Sequence, residues 1–113
     1  MHGELTFFEI GVPDSVRAQA FYGRLFGWEF PLTGEGDQVW IKTPGTKGGL
    51  HGQDAESRIA MYFSVDDIDA AVQEVRALGG TAEDACPEEP GFGRFSACTD
   101  DQGVRFGLHQ AAR

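Results

Sequence analysis

The sequence predicts an α+β domain built from two tandem βαβββ modules whose curved mixed sheets surround a central cleft. Three observations predict it. The chain has 113 residues, the size of one domain. A shift that carries Val12-Pro13-Asp14 onto Val65-Asp66-Asp67 also carries Ala18 onto Ala71, Leu25 onto Leu78 and Gly27 onto Gly80. The same succession of strand, capped helix and short turn-bounded strands then recurs in both halves. The modules run from about 4 to 54 and from about 58 to 110, within one domain spanning 1–113.

Each module opens with a strand, Leu5 to Val12 and Ile59 to Val65, rich in aromatic and β-branched residues. Both run into an acidic helix start. Asp14 or Ser15 caps the first helix and Asp66 or Asp67 the second, accepting free N–H groups of the first turn. In the first helix Ala18, Phe21, Leu25 and Phe26 form the apolar stripe, ended by Gly27. In the second the stripe is Ile68, Ala71, Val72, Val75 and Leu78, ended by Gly79-Gly80, because glycine takes the left-handed cap conformation without penalty. Three strands follow each helix: Trp28–Leu32, Gln38–Thr43 and Gly48–Gly52, then Thr81–Ala85, Gly93–Thr99 and Val104–His109. The turns between them are Thr33 to Gly36, Pro44-Gly45, Pro87 to Gly91 and Asp100 to Gly103. Each helix covers one face of a four-stranded sheet and leaves the other face open.

Val12-Pro13-Asp14, Ala20-Phe21-Tyr22, Leu25-Phe26-Gly27-Trp28, Val65-Asp66-Asp67, Leu78-Gly79-Gly80, Gly93-Arg94-Phe95 and the run Asp101 to Leu108 resemble the vicinal oxygen chelate superfamily. That superfamily holds glyoxalase I, extradiol dioxygenases, fosfomycin-resistance enzymes and bleomycin-binding proteins. The resemblance covers almost the whole chain and looks most like a glyoxalase-like branch. It departs at Asp100-Asp101-Gln102-Gly103, where Asp-Pro-x-Gly is usual; the turn is expected to survive. The resemblance also implies where metal ligands would stand. They fall on Phe7, on Ala60, on Gly107, and on a fourth position around Gly49 to His51. Phe, Ala and Gly side chains donate no electron pair, so the usual Zn, Ni or Fe site is not expected, and no cofactor is.

Strand alternation then gives the cleft-facing residues. Phe7, Glu9 and Gly11 face it on the first strand, and Phe8, Ile10 and Val12 face the helix. Ala60, Tyr62 and Ser64 face it on the fifth strand, with Met61, Phe63 and Val65 inward; Arg105, Gly107 and His109 face it on the last. His51 joins them if Leu50 packs on the helix, and the side of Trp40 is open. Candidate ligand-binding residues are thus Phe7, Glu9, Trp40, His51, Ala60, Tyr62, Arg105 and His109. Glu9 either pairs with Arg105 across the sheet or acts as a general base or partner to a ligand cation. Tyr62 is either a core aromatic or a ligand contact, and Arg94 either clamps a carboxylate or sits on the outer face.

Composition narrows the partners. Eighteen acidic against nine basic residues leave a formal charge of −9, which repels nucleic acid and anionic membrane. The same charge suits a cationic ligand, or serves solubility alone. Cys86 and Cys98 lack metal-site spacing and read as idle thiols rather than a disulfide. No apolar run approaches the length of a membrane span, and the N-terminus lacks a signal-peptide pattern, so a cytoplasmic protein is expected. Gly45 to Gly49 lacks the Gly-Lys-Ser/Thr order of a phosphate loop, and no nucleophile motif occurs. Three functions remain, beside a scaffold that holds no small ligand. One is a metal-independent small-molecule-binding protein of the bleomycin-resistance type, taking an uncharged or cationic aromatic ligand. The second is a metal-independent lyase or isomerase using Glu9 or a histidine as general acid/base. The third keeps a metal on a displaced set, Glu9, His51 and His109. Exposed strand edges and the habit of the family predict a homodimer.

Overall fold

A computed structural model describes residues 2–35 and 38–112, and the chain is α+β. It divides into two compact units, one of Phe7–Ala60 and one of Met61 onward joined by the residues up to Thr6.

In the first unit the elements are β1 (Leu5–Gly11), α1 (Ser15–Phe26), β2 (Leu32–Glu35), β3 (Gln38–Ile41) and β4 (Gly48–His51). The strand order is β2-β3-β4-β1. β4 runs parallel to β1, with Ile10 opposite Leu50, and antiparallel to β3. Asp14 caps α1 by accepting from the Arg17 N–H at 3.1 Å, and Gly27 ends it at φ 75° with its N–H on the Gly23 carbonyl. The core is Ile10, Ala18, Val39, Ile41 and Leu50, with Phe8, Val12, Tyr22, Trp28 and Phe30 packed against it.

The expected stripe of α1 needs correction. Ala18 is buried, but Phe21 and Leu25 are 62% and 58% exposed, and Phe26 is exposed too. Tyr22, one helical turn beyond Ala18, takes the core position instead, stacked on Trp28 at 5.6 Å between centroids. The strand expected over Trp28–Leu32 reduces to an isolated bridge, Glu29 to Lys42. Pro31 has no N–H for a ladder and only accepts, from the Trp40 N–H at 2.9 Å. β2 therefore starts at Leu32 and occupies most of the segment expected to turn; Gly36 lies outside the described residues.

The second unit contains β5 (Arg58–Ser64), α2 (Ile68–Ala77), β6 (Thr81–Ala82), β7 (Gly93–Thr99) and β8 (Arg105–Ala111), in strand order β5-β8-β7-β6. β5 and β8 are parallel, with Tyr62 opposite Gly107, and β7 is antiparallel to β8. Asp67 caps α2 through the Ala70 N–H, and the side-chain amide oxygen of the buried Gln110, Oε1, accepts from the Ile68 N–H at 2.9 Å. The core is Val65, Ile68, Val72, Cys98 and Leu108. Leu78 falls at the helix cap rather than on the stripe and is exposed, as is Met61. The turn without proline holds: Asp100 Oδ1 accepts from the N–H groups of Gln102 and Val104 at 2.8 and 2.9 Å, and Gly103 takes φ 87°.

Candidate functional site

On the first unit, alternation places the expected residues as the sequence predicts. Phe8 and Ile10 pack into the α1 core while Phe7 and Glu9 point the other way. Leu50 is in the core, which puts Gly49 and His51 on the open face with them. Val39 and Ile41 are buried on the helix side, so Trp40 also belongs to the open face, and its ring meets Phe7 edge-on at 6.2 Å and 85°. Two consecutive glycines receive the two rings of β1. A Cβ on Gly48 would stand 2.5 Å from the Phe8 ring, and one on Gly49 would stand 3.1 Å from Phe7 Cζ.

Beyond Phe7 the face turns polar. His51 Nε2 lies 3.4 Å from Glu9 Oε1 and 3.9 Å from Asp54 Oδ2, and Arg58 Nε lies 3.7 Å from the same Asp54 oxygen. Gly11 makes this cluster possible, because a Cβ there would collide with the Asp54 carboxylate and come within 2.8 Å of the His51 ring. Backbone bonds from the Gln53 and Asp54 N–H groups to the Pro13 and Val12 carbonyls, each 3.0 Å, fold the segment after β4 back over β1. Asp54 was not a sequence candidate. Its only signal is a His-x-x-Asp spacing at the end of a strand, opposite a glycine.

The second unit carries a counterpart face. The Tyr62 ring lies against Gly107, where a Cβ would collide with it, and meets Phe95 edge-on at 6.1 Å. Phe7 and Tyr62 are only 5% and 7% exposed, so both rings are enclosed by their surroundings. His109 stacks on Phe92 at 4.3 Å, and its Nε2 lies 2.6 Å from the Phe92 carbonyl. A carbonyl only accepts, so Nε2 carries a proton and donates; Nδ1 lies 3.4 Å from Thr6 Oγ1. Arg105 is exposed and stands opposite Thr99 on β7; Ala60 is half-buried at the end of the first unit.

Arg94 takes the structural alternative. Its guanidinium donates to both carboxylate oxygens of Asp69, at 2.9 and 3.0 Å, and to the Cys86 carbonyl. The hydrogen bond from Arg94 holds the Asp69 carboxyl below its usual range, and the same bond pushes the guanidinium up. Cys86 and Cys98 are free thiols, and burial pushes the Cys98 thiol up.

The fourth metal position of the resemblance is now defined by register. The repeat expected from the sequence sets Glu9 against Tyr62; Tyr62 pairs with Gly107 and Glu9 pairs with Gly49, so on that repeat the fourth position falls on Gly49. The four positions are Phe7, Gly49, Ala60 and Gly107. None has a donor atom, and an aromatic ring lies against each of the two glycines. These residues do not fit the metal centre that the fold family implies. Among the described residues, no three His, Cys, Asp or Glu side chains are grouped to hold a metal ion, so the displaced set Glu9, His51 and His109 is not assembled as one. No helix among the described residues is long and apolar enough to cross a membrane.

Comparison with known proteins agrees with the fold. The chain is 30% identical to the Putative glyoxylase CFP32 of Mycobacterium bovis over 124 aligned positions, covering 98% of this chain and 47% of that protein. It is 29% identical to a glyoxylase-like domain-containing protein of Didymella fabae, over 71% of each. The chain thus spans about half the length of the first of these relatives. Among solved structures it is similar to methylmalonyl-CoA epimerase from Mycobacterium tuberculosis, with TM-score 0.74 and 20% identity over 97% of this chain and 89% of that one. It is also similar to an extradiol ring-cleaving dioxygenase from B. fuscum, with TM-score 0.75 and 17% identity over 99% of this chain and 34% of that one. Residues 4–108 match the family model of the Glyoxalase/Bleomycin resistance protein/Dioxygenase superfamily, and the chain belongs to that superfamily.

Proposed function

We propose that this protein is a metal-independent small-molecule-binding member of its superfamily, holding an organic ligand against the open face that carries Phe7, Glu9, Trp40 and His51. One observation carries the reading: Phe7, Gly49, Ala60 and Gly107 stand where family ligands would, and rings lie over both glycines. An apolar surface with one directed polar cluster is the composition of a small-molecule site, where apolar area supplies affinity and a few polar atoms supply orientation. Tyr62, Arg105 and His109 on the second unit's counterpart face, and Ala60 at the end of the first unit, are the weaker candidates, because both ring nitrogens of His109 already have partners. The tandem-module origin of the two units and a homodimeric assembly belong to the same proposal; light scattering that gives a monomer mass at all concentrations would reject the dimer.

The test is a thermal-shift ligand screen followed by calorimetry. Phe7→Ala removes the enclosed ring that meets Trp40 edge-on at 6.2 Å, and the disturbed face is expected to bind a hit more weakly by about 1 kcal/mol or more. Glu9→Gln weakens a cationic hit and spares a neutral one. Hits that bind both variants as well as the parent overturn the reading. So does elemental analysis giving one tightly held Zn, Ni, Fe or Mn per chain that is lost on changing Glu9 or His51.

The second reading, a proton-transfer enzyme, is favoured by the 3.4 Å approach of Glu9 to His51. A carboxylate that orients an imidazole is the arrangement of a general base. Turnover of any carbon acid that disappears in both Glu9→Gln and His51→Gln moves the assignment from binding to catalysis.

A further inference from the structure

We infer that the cavity beside Trp40 is a binding site for a small organic carboxylate carried on a flat apolar body. The cavity holds about 340 Å3 and is lined by Pro31, Trp40, Lys42, Thr43 and Lys47 among others. That volume is at the small end of the range for ligand pockets and suits one or two fused rings. Its charge is unusual for this chain. Nine basic residues face eighteen acidic ones in the whole sequence, and two of the nine, the chain's two lysines, line this one cavity.

The β3–β4 hairpin produces the arrangement. Trp40 on β3 and Lys42, the residue just past its end and bridged to Glu29, are two apart and share a face, since Val39 and Ile41 are buried on the other. Thr43 closes the turn: its hydroxyl donates to the Thr46 carbonyl at 2.7 Å and accepts from the Gly45 N–H at 3.1 Å. Lys47 then emerges beside Trp40, with Nζ 3.8 Å from the ring centroid. Lys42 shares its charge with Glu29 at 3.6 Å, both side chains largely exposed. Lys47 has no ion pair among the described residues. Its ammonium already occupies the cation-attracting face of the indole, so a second cation is repelled there and an anion is attracted. Pro31 and the edge of Trp40 supply apolar area for the rest of the ligand. The inference shares Trp40 with the reading above, but it rests on neither Glu9, His51 nor the metal positions.

The probe is 2-naphthoate, compared with neutral 2-naphthamide, by calorimetry and by the indole N–H resonance of Trp40, assigned with Trp40→Phe. Naphthoate is expected to bind with a dissociation constant below about 1 mM, equivalent to about −4 kcal/mol. It should shift the Trp40 resonance, and it should weaken with added salt while naphthamide does not. Lys47→Gln and Lys42→Gln are each expected to weaken it about fivefold or more, with unchanged circular dichroism. Equal binding of naphthamide, lysine variants that bind as the parent does, or no binding up to about 5 mM overturns the inference. Loss of naphthoate binding in Glu9→Gln but in neither lysine variant also overturns it, and supports the Phe7–Glu9 face instead. Failure of that face in its own screen leaves the lysine effect standing.

Discussion

In the first unit Phe7 lies over Gly49 from two residues before Glu9, the register partner of that glycine, and in the second Tyr62 lies over Gly107, its own register partner. What surrounds the contact differs. Glu9, His51 and Asp54 form a polar cluster beside Phe7, and Trp40 and Lys47 extend the face in the other direction. Beside Tyr62, Phe95 and Phe92 close in, and His109 is tied by both nitrogens. The two faces are thus filled differently, with a cluster of His51 and two carboxylates on one and ring–ring and ring–carbonyl contacts on the other.

The comparison is broken most severely in the cores. Leu50 and Leu108 occupy equivalent register positions, opposite Ile10 and Phe63, and both are buried. Leu50→Ala and Leu108→Ala are each expected to lower stability in urea denaturation by about 2–5 kcal/mol. Losses that differ by more than that range would show that the two cores are not equivalent in packing.

The next effect tests the ring-on-glycine contact. Gly107→Ala puts a methyl group into the Tyr62 ring and is expected to cost about 1–3 kcal/mol by overpacking. Gly49→Ala is milder, because Phe7 Cζ at 3.1 Å needs to give by only a few tenths of an ångström. A cycle with Tyr62→Ala should recover part of the Gly107→Ala loss. Zero coupling in that cycle would separate the ring from the glycine.

Much of this was legible before the coordinates. Asp14, Asp67, Gly27 and Gly79 announce the helix ends because capping depends on a few local atoms. The open-face assignments of Phe7, Glu9 and His51 needed only strand alternation. The α1 stripe was misread because Phe21 and Leu25 are apolar and correctly spaced, yet Tyr22 and Trp28 fill the core position together. That choice depends on ring stacking between a helix and the residue after it, which periodicity does not report. Asp54 and Lys47 were missed for a related reason. Both reach the site through hairpin and loop geometry, by bonds such as Asp54 N–H to Val12 O and Thr43 to Thr46.

A smaller test concerns the helix starts. α1 depends on Asp14, whereas α2 has Asp67 and, in addition, the side-chain amide oxygen of the buried Gln110 on the Ile68 N–H. Gln110→Leu leaves that N–H unsatisfied, for an expected loss of about 1–3 kcal/mol by denaturation. A neutral result would mean that water replaces the amide there.

The smallest effect is a difference in acid sensitivity that belongs to the second unit. The N–H groups of Val104 and Gln102 hold the Asp100 carboxyl below the ordinary aspartate value of 3.8, and Arg94 does the same for Asp69. A folded pKa below the unfolded one means that the unfolded chain binds the proton more readily. The stabilisation from each is therefore complete above the unfolded value and is lost as pH falls through the lower folded value. Asn at position 100 keeps the turn-forming oxygen and removes the charge. Asp100→Asn is thus expected to lower the urea midpoint slightly at pH 7, and the gap to the parent should close as pH is taken from about 5 towards 2. Asp69→Asn should behave alike, and Arg94→Gln should remove the effect of Asp69→Asn, since the carboxylate then has no guanidinium to meet. Both groups are exposed, so the shifts in midpoint are small and shrink with salt for the Asp69–Arg94 pair more than for Asp100, whose donors are backbone N–H groups fixed by the turn. A gap that stays constant down to pH 2 would mean that shape rather than charge holds the turn.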